Sequence, residues 1–324
     1  MKSLVLGATG FIGGQIARAA LDGGWEVRAL RRNPKSVGDL EGLPIEWVAG
    51  NITNSASLRA AMQGVEIVFH AAAYYPSGTH PRQVPAAVAH ARQEIETVLN
   101  ALRAAQVPRL IFTSTLSTIG QPPPGEKRLA DERDTYSPGS MPKNAYYECK
   151  IAMENAVLAA NDIDAVVLCP TAVFGPGDVH LTMGKLLISV ARGRVPAWLP
   201  GIINAIDVRD VAATHIIAAQ HGQRGERYIL GGHNFTVEEA LRQAARAANV
   251  TEPRFEIPLW VTRILVTLDD ALPFISISGN HLRALPHWQG YNTSKAQTKL
   301  GLKPRPFEET ARDALSWFEQ KGYL

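Results

Sequence analysis

A glycine-rich loop near the amino terminus, residues 7–13 (GATGFIG), constrains the fold of this chain more than any other feature. The apolar run at residues 3–6 is typical of a buried parallel strand, and residues 15–21 have the pattern of an amphipathic helix. Glycines let the backbone approach a ligand, and the first turn of the helix favours an anion such as a pyrophosphate. A second strand at residues 25–30 completes a β-α-β unit of the length that dinucleotide binding requires.

Two arginines, Arg31 and Arg32, directly follow the second strand. Guanidinium groups bind phosphate through forked, charge-assisted hydrogen bonds, so this pair suits the 2′-phosphate of NADP(H). The competing interpretation is that both are solvated residues at a strand end. The sequence therefore favours NADP(H) over NAD(H).

Further strands are predicted at residues 45–50, 65–70 and 109–113, with helices at residues 58–63 and about 85–105. Five β-α units joined by short turns predict a doubly wound parallel sheet, the Rossmann-type α/β fold. His70 ends the fourth strand, and a histidine in that position is more typical of structure than of catalysis.

The chemistry is predicted at the end of the fifth strand and on the helix after it. Thr113, Ser114 and Thr115 follow that strand, although such hydroxyls are also ordinary turn formers. Tyr146 and Lys150 form a Tyr-x-x-x-Lys motif, and residues four apart share one face of a helix. The lysine charge stabilises the tyrosine phenolate and lowers a pKa that is otherwise ~10, which fits proton transfer coupled to hydride transfer.

Composition excludes several other classes of protein. The chain has 324 residues, 46% of them hydrophobic, and a net charge of +3 without a basic run, so it can bury a sizeable core and is not expected to bind nucleic acid. No apolar stretch reaches the ~18–20 residues of a membrane span. The first strand leaves no room for a signal peptide, and two cysteines make neither a disulfide framework nor a metal site. We expect a cytoplasmic protein without a metal.

The GATGFIG loop, with its GxxGxxG spacing, resembles the extended branch of the short-chain dehydrogenase/reductase superfamily, the NAD-dependent epimerases and dehydratases. The basic residues after the second strand and the GERYILGG stretch at residues 225–232 are most similar to dihydroflavonol reductase-like proteins and hopanoid-associated sugar epimerases. The resemblance implies that Thr115 orients the reacting oxygen, that Tyr146 is the acid/base, and that Lys150 also holds the nicotinamide ribose. Relatives often dimerise through the two helices that flank the active-site strand, which would make this protein a homodimer.

The expected cofactor site combines these motifs with family positions at strand ends. Its residues are Gly7, Thr9, Gly10, Phe11, Ile12, Gly13, Arg31, Arg32, Asn51, Ile52, Ala71, Ala72, Ala73, Thr113, Tyr146, Lys150, Pro170 and Val173. Two positions depart from the family pattern: Asn51 replaces an aspartate near the adenine ring, and Glu94 aligns where many relatives have asparagine. Tyr74, Tyr75 and Phe174 are expected to contact the substrate.

The resemblance also implies an interleaved arrangement of two regions. Residues 1–170, with 203–222 returning to them, form the NADP-binding Rossmann domain. Residues 171–202 and 223–324 form a smaller, C-terminal α/β region that binds the substrate.

Three functions remain open at this point. The first is an NADPH-dependent reductase of a small-molecule carbonyl compound, and the second is a nucleoside-diphosphate-sugar epimerase or dehydratase that retains NAD(P). The third is a catalytically idle NADP-responsive protein, which an intact Thr115, Tyr146 and Lys150 argues against. The basic residues after the second strand favour the reductase, because NADPH is the usual source of reducing equivalents. Many epimerases place an arginine before the strand at residues 204–207, where this chain has Gly-Ile-Ile.

Overall fold

The structure, a computed structural model, describes residues 1–72, 74, 76, 80–262, 264 and 287–324. Its strands are β1 (Lys2–Leu6), β2 (Glu26–Arg31), β3 (Ile45–Ala49), β4 (Ile67–His70), β5 (Arg109–Thr113), β6 (Asp164–Pro170), β7 (Ala172–Phe174), β8 (Ala197–Trp198), β9 (Ile202–Asp207), β10 (Arg227–Leu230), β11 (His233–Thr236) and β12 (Phe255–Glu256). Its helices are α1 (Phe11–Asp22), α2 (Ser55–Met62), α3 (Val84–Ala105), α4 (Ala145–Ala159), α5 (Gly184–Ala191), α6 (Val208–His221), α7 (Val237–Ala247), α8 (Ser294–Leu300) and α9 (Phe307–Gln320).

Seven of these strands form one parallel sheet in the order β10-β6-β5-β4-β1-β2-β3. The strand order runs outward in both directions from β1 and β4, which is the topology of a doubly wound sheet. The predicted Rossmann-type α/β fold is therefore confirmed.

Helices cover both faces of this sheet. The helices α2, α3 and α4 pack on one face, and α1, α6 and α8 pack on the other. Within β1, Leu4 and Leu6 face the first layer while Val5 faces the second. Both sides of the strand are buried, which explains why its sequence is continuously apolar and does not alternate with polar residues.

A smaller α/β region lies beyond the carboxyl end of the sheet. It contains a three-stranded sheet ordered β11-β9-β7, a pair formed by β12 and β8, and the helices α5, α7 and α9. Phe174, Phe307 and Phe318 lie in its core. Thr236 begins α7 with a capping box in which its side chain and that of Glu239 each accept a backbone N–H.

The boundaries between the two regions differ from the expected ones. Residues 203–222 were expected to return to the nucleotide-binding domain, yet only α6 does so, because β9 pairs with β7 and β11 of the smaller sheet. Within the range 223–324, β10 joins the main sheet beside β6, and α8 packs on the same face as α1. All four residues of β10 are buried, so this short strand needs a helix layer on each side.

Other features of the described residues bear on function. Among them, no helix combines the length and apolar character needed to cross a membrane. The same ranges contain no group of three or more His, Cys, Asp or Glu side chains that could hold a metal ion. Both cysteines are buried free thiols.

Candidate active site

The ends of adjacent parallel strands bring the predicted motifs together. The strands β1, β4, β5 and β6 are neighbours, so the segments that follow them meet at one edge of the sheet. The closest approach is between Gly7 and the turn after β4. A Cβ atom at Gly7 would lie 2.8 Å from the backbone nitrogen of Ala72 and 2.9 Å from the carbonyl carbon of Ala71.

The glycine loop is packed too tightly for side chains. Gly7 has a φ of +94°, and a Cβ at Gly13 would lie 2.2 Å from its carbonyl oxygen. Gly10 caps α1 without a side-chain hydrogen bond, and the first turn of the helix carries no acidic residue. Its N–H groups and the positive end of the helix dipole therefore suit the diphosphate of a dinucleotide.

The basic segment after β2 lies beside this loop. A Cβ at Gly38 would be 2.8 Å from the carbonyl oxygen of Thr9, so the chain between β2 and β3 runs over the loop. The Arg31 guanidinium lies 5.0 Å from the centre of the Trp47 ring, which holds it by a cation–π contact. Arg32 is exposed, and its charge partly opposes the rise in the pKa of Glu94 that burial causes. Both arginines thus belong to the start of the segment that runs on over the glycine loop.

The two hydroxyl groups of the predicted catalytic set meet at hydrogen-bond distance. The Tyr146 hydroxyl donates to Thr115 Oγ1 over 3.3 Å. Asn144 starts α4 by accepting the backbone N–H of Tyr147 over 3.2 Å, which sets the register of this helix. Tyr147 points elsewhere and is buried, and this burial raises its pKa well above its usual range. Tyr146 is therefore the tyrosine that can exchange a proton with a ligand beside Thr115.

Lys150 and two other titratable groups lie buried beneath this pair. Burial lowers the pKa of Lys150 to about 8, opposed by the nearby Glu94 carboxylate. Burial raises the pKa of Glu94, whose Oε1 accepts the backbone N–H of Tyr74 over 2.9 Å. His70 is fully buried without a hydrogen-bond partner among the described residues, and burial with the Lys150 charge lowers its pKa to about 3. A histidine held neutral in this way matches the structural role expected for His70.

Several other expected cofactor residues contribute packing. Phe11 and Val173 are buried in the layer of α1 and α6, with Ile12 packed against it, and Pro170 is buried at the end of β6. Ile52 packs against the opposite layer. The Thr113 hydroxyl donates to Nε2 of His215 over 2.9 Å. The Asn51 side chain accepts the backbone N–H of Thr53 over 3.2 Å.

The expected substrate residues differ in their surroundings. Phe174 is 2% exposed and packs edge-on against Phe307 at 5.0 Å between ring centres, so it belongs to the core of the smaller region and not to a rim. This placement corrects the expectation for Phe174. The ring of Tyr74 packs on His90 at 4.7 Å. Ala73 and Tyr75 lie outside the described residues.

Sequence reasoning missed an aromatic cluster beside Tyr146, which comprises Tyr136, Tyr147, His287 and Trp288. The Tyr147 ring lies 6.2 Å from both Tyr136 and Tyr146, and the Tyr136 hydroxyl lies 3.0 Å from Nδ1 of His287. Trp288 packs against this group and reaches Gly201 before β9. Tyr147 belongs to α4, whereas Tyr136, His287 and Trp288 lie outside the helices and strands named above and are partly far away in the chain, so no local periodicity could have indicated the cluster.

Comparisons with known proteins agree with this geometry. The model of the NAD dependent epimerase/dehydratase family matches residues 3–231. A putative dihydroflavonol 4-reductase of Synechocystis sp. is 32% identical, over 99% of this chain and 95% of that protein. Sterol demethylase protein B of Methylococcus capsulatus is 30% identical over the whole of both chains. The crystal structure of a nucleoside-diphosphate-sugar epimerase from Pseudomonas aeruginosa is 25% identical, with a TM-score of 0.85 over 100% of this chain and 99% of the other. The names of these relatives indicate different activities. The reaction of this chain therefore has to be inferred from the residues of its site and not from its fold.

Proposed function

Because this chain belongs to the NAD dependent epimerase/dehydratase family, whose members are NAD(P)-dependent oxidoreductases and epimerases, we propose that it is an NADPH-dependent reductase of an uncharged carbonyl compound. The observation that carries this proposal is the 3.3 Å contact between the Tyr146 and Thr115 hydroxyls, with the buried Lys150 about one helical turn after Tyr146 on α4. Such a pair can bind one substrate oxygen from two sides and give it a proton. The same pair argues against a catalytically idle protein.

Each of these side chains has a defined part in a carbonyl reduction. A bound NADPH supplies the hydride that the carbonyl carbon accepts. Thr115 donates a hydrogen bond to the substrate oxygen and stabilises the charge that develops there. Tyr146 gives its proton to that oxygen, so that an alcohol is formed, and the positive charge of Lys150 stabilises the resulting phenolate. The tyrosine then recovers its proton from solvent.

The preference for NADPH rests on the chain after β2. Arg31 is held on Trp47 and Arg32 is exposed, at the start of the segment whose Gly38 approaches the loop that suits the diphosphate. Two guanidinium groups at this place can pair with a 2′-phosphate, which NAD(H) lacks.

The aromatic cluster supports an apolar, preferably aromatic, substrate. Its rings offer stacking area beside Tyr146, while its polar atoms are the hydroxyls of two tyrosines, an imidazole and an indole N–H. A nucleotide sugar needs cations for its diphosphate. Arg192, which precedes β9 in the chain, donates to the carbonyl oxygen of Tyr323 over 2.8 Å and so holds the carboxyl-terminal end of the chain.

The alternative is a nucleoside-diphosphate-sugar epimerase or dehydratase, and the likeness to the Pseudomonas aeruginosa epimerase favours it. The two functions differ in the net oxidation of the cofactor. A reductase consumes one NADPH with each turnover, whereas an epimerase restores its cofactor and retains it.

A substrate panel distinguishes them. Aromatic and aliphatic ketones and aldehydes are incubated beside UDP- and GDP-sugars, and both NADPH absorbance and sugar configuration are followed. We expect stoichiometric loss of NADPH with an aromatic carbonyl compound and no cofactor retained through purification. Conversion of a nucleotide sugar without net NADPH loss, together with tightly retained cofactor, would replace the reductase by the epimerase.

A further inference from the structure

A buried carboxylate, Glu154, lies on the catalytic helix outside the proposed reaction. It follows Lys150 by four residues on α4 and is 3% exposed. Tyr146, Lys150 and Glu154 therefore share one side of the helix at successive turns. A carboxylate at such depth requires partners for its charge and its oxygen atoms.

The first set of partners belongs to the turn that carries Thr115. Oε2 of Glu154 accepts hydrogen bonds from the hydroxyls of Ser114 and of Thr118, the latter over 2.6 Å. Ser114 precedes Thr115 in the chain. Thr115 is the N-cap of a short 3-10 helix, Leu116–Thr118, and Thr118 is the last residue of that helix. The backbone N–H of Thr118 donates to the Thr115 carbonyl oxygen over 3.2 Å and closes this turn. One carboxylate oxygen therefore binds a residue on each side of Thr115 in the chain, Ser114 before it and Thr118 after it.

The second partner is Arg227 on β10, which belongs to the GERYILGG stretch. Its Nε lies 2.8 Å from Oε1 of Glu154 as an ion pair, and both side chains are less than 10% exposed. The guanidinium donates hydrogen bonds to the carbonyl oxygens of Thr118 and Glu132, each over 3.0 Å, and to the Thr118 hydroxyl oxygen over 3.3 Å. The arginine thus balances the charge of Glu154, and it also binds the turn that carries Thr115 from β10, the edge strand of the main sheet.

We propose that Glu154 is a positioning residue that sets the distance between the hydroxyls of Tyr146 and Thr115. Tyr146 is connected to Glu154 through two turns of α4, and Thr115 is connected to it through Ser114 and Thr118. The inference rests on the roles proposed above for Tyr146 and Thr115. Because a displacement of ~1 Å in a catalytic group can reduce a rate by about 10²-fold, this carboxylate controls turnover without touching the substrate.

The variant Glu154→Gln tests this inference, since it keeps size and one acceptor oxygen but removes the charge. We expect kcat to fall by about 10- to 100-fold, while KM for NADPH changes less than about twofold, because the glycine loop is untouched. A kcat close to that of the unaltered enzyme, or an equal change in KM for NADPH, would overturn the proposal.

Glu148→Gln is the matched control on the same helix. Glu148 is also a buried carboxylate, and it accepts the backbone N–H groups of Gly139 over 2.7 Å and Met141 over 2.6 Å, away from the Thr115 turn. We expect a loss of thermal stability similar to that of Glu154→Gln with a much smaller loss of kcat. Equal losses of kcat in the two variants would mean that any damage to α4 has this effect.

A double-mutant cycle separates positioning from general support of the fold. In a Thr115→Ala background, Glu154→Gln should cause little further loss of kcat, because the group that it positions is absent. A full, additive loss in that background would contradict the proposal.

A crystal structure of Glu154→Gln provides a readout that needs no substrate. The distance from Tyr146 Oη to Thr115 Oγ1, 3.3 Å here, should lengthen beyond hydrogen-bond range. An unchanged distance would refute the positioning role. If the unaltered enzyme reduces no carbonyl compound, the proposed function fails, whereas this distance still tests the inference.

Discussion

At the scale of single residues, the site depends on which of two adjacent tyrosines reaches Thr115. The spacing to a lysine predicted Tyr146, and the cap at Asn144 gives α4 the register that brings Tyr146 to Thr115 and turns Tyr147 into the aromatic cluster. The spacing was sufficient because a step of four residues is slightly more than one helical turn, which is a local property of the backbone. The buried neighbours Glu94 and Glu154 had no such signal, because their partners come from other parts of the chain.

We predict that Tyr146→Phe lowers kcat by about 10²- to 10⁴-fold, because it removes the proton donor and keeps the ring. The dissociation constant of NADPH should change little, as measured by titration of protein fluorescence. Tyr147→Phe is the control and should retain most activity, since its hydroxyl is buried away from Thr115. Loss of turnover in Tyr147→Phe with an active Tyr146→Phe would contradict the assignment.

The charge state of Lys150 predicts a pH dependence. Since burial lowers its pKa to about 8, the lysine is charged below this pH and loses its charge above it, so kcat/KM for reduction should fall above about pH 8. The Glu94 carboxylate raises the pKa of Lys150, so Glu94→Gln should move this descending limb to lower pH. Glu96→Gln, at an exposed position of the same helix, should leave the limb in place. A limb that stays fixed or moves to higher pH in Glu94→Gln would exclude this coupling.

At the scale of elements, the sequence predicts correctly those features that depend on residues close together in the chain. The predicted β5 matches the structure residue for residue, since hydrophobic period and turn residues are local signals. The position of β10 in the main sheet was missed, because a strand of four residues does not reveal which of two sheets it joins. The same limit applies to the aromatic cluster, whose members meet only after the smaller region has folded.

The pairing of β2 with β3 leads to a prediction about the cofactor. Arg31 ends β2, and Trp47 on β3 holds its guanidinium. Replacing Arg31 and Arg32 together with alanine should weaken NADPH binding by about 2–3 kcal/mol and NADH binding much less, measured by calorimetric titration. Lys35→Ala removes a charge from the same segment and serves as the control. Equal affinity of the unaltered protein for both cofactors would reject the preference for NADPH.

At the scale of the whole molecule, two buried histidines couple the fold to pH. Burial lowers the pKa of His70 to about 3 and that of His215 to about 4. His215 is satisfied as a neutral ring, since its Nδ1–H donates to the carbonyl oxygen of Val211 over 2.8 Å and its Nε2 accepts from Thr113. The folded chain therefore binds fewer protons than the unfolded chain between about pH 4 and 6.5.

Stability should consequently rise with pH through this window and be lost as the pH falls through it. Each histidine contributes about 1.4 kcal/mol per pH unit, so the free energy of unfolding should drop by up to ~4 kcal/mol between pH 6.5 and 5. Urea unfolding at the two pH values measures this difference. His70→Leu should remove about half of it, whereas His221→Gln, at an exposed position, should remove little. A His70→Leu variant with the full original slope would contradict this account.

The chain passes to the smaller region from the ends of β6 and β10, which are neighbours in the main sheet, and again after α8. The first two of these connections are adjacent anchor points of the smaller region, which we propose binds the substrate, and the hydroxyl of Thr115 follows β5 while that of Tyr146 lies on α4. Insertions, deletions or whole exchanges beyond those anchors can accumulate without disturbing the register of the sheet or the tyrosine. Such an architecture permits substrate specificity to change faster than the reaction itself. It also makes it practical to replace the segment beyond these anchors by that of a relative in order to obtain activity on new substrates.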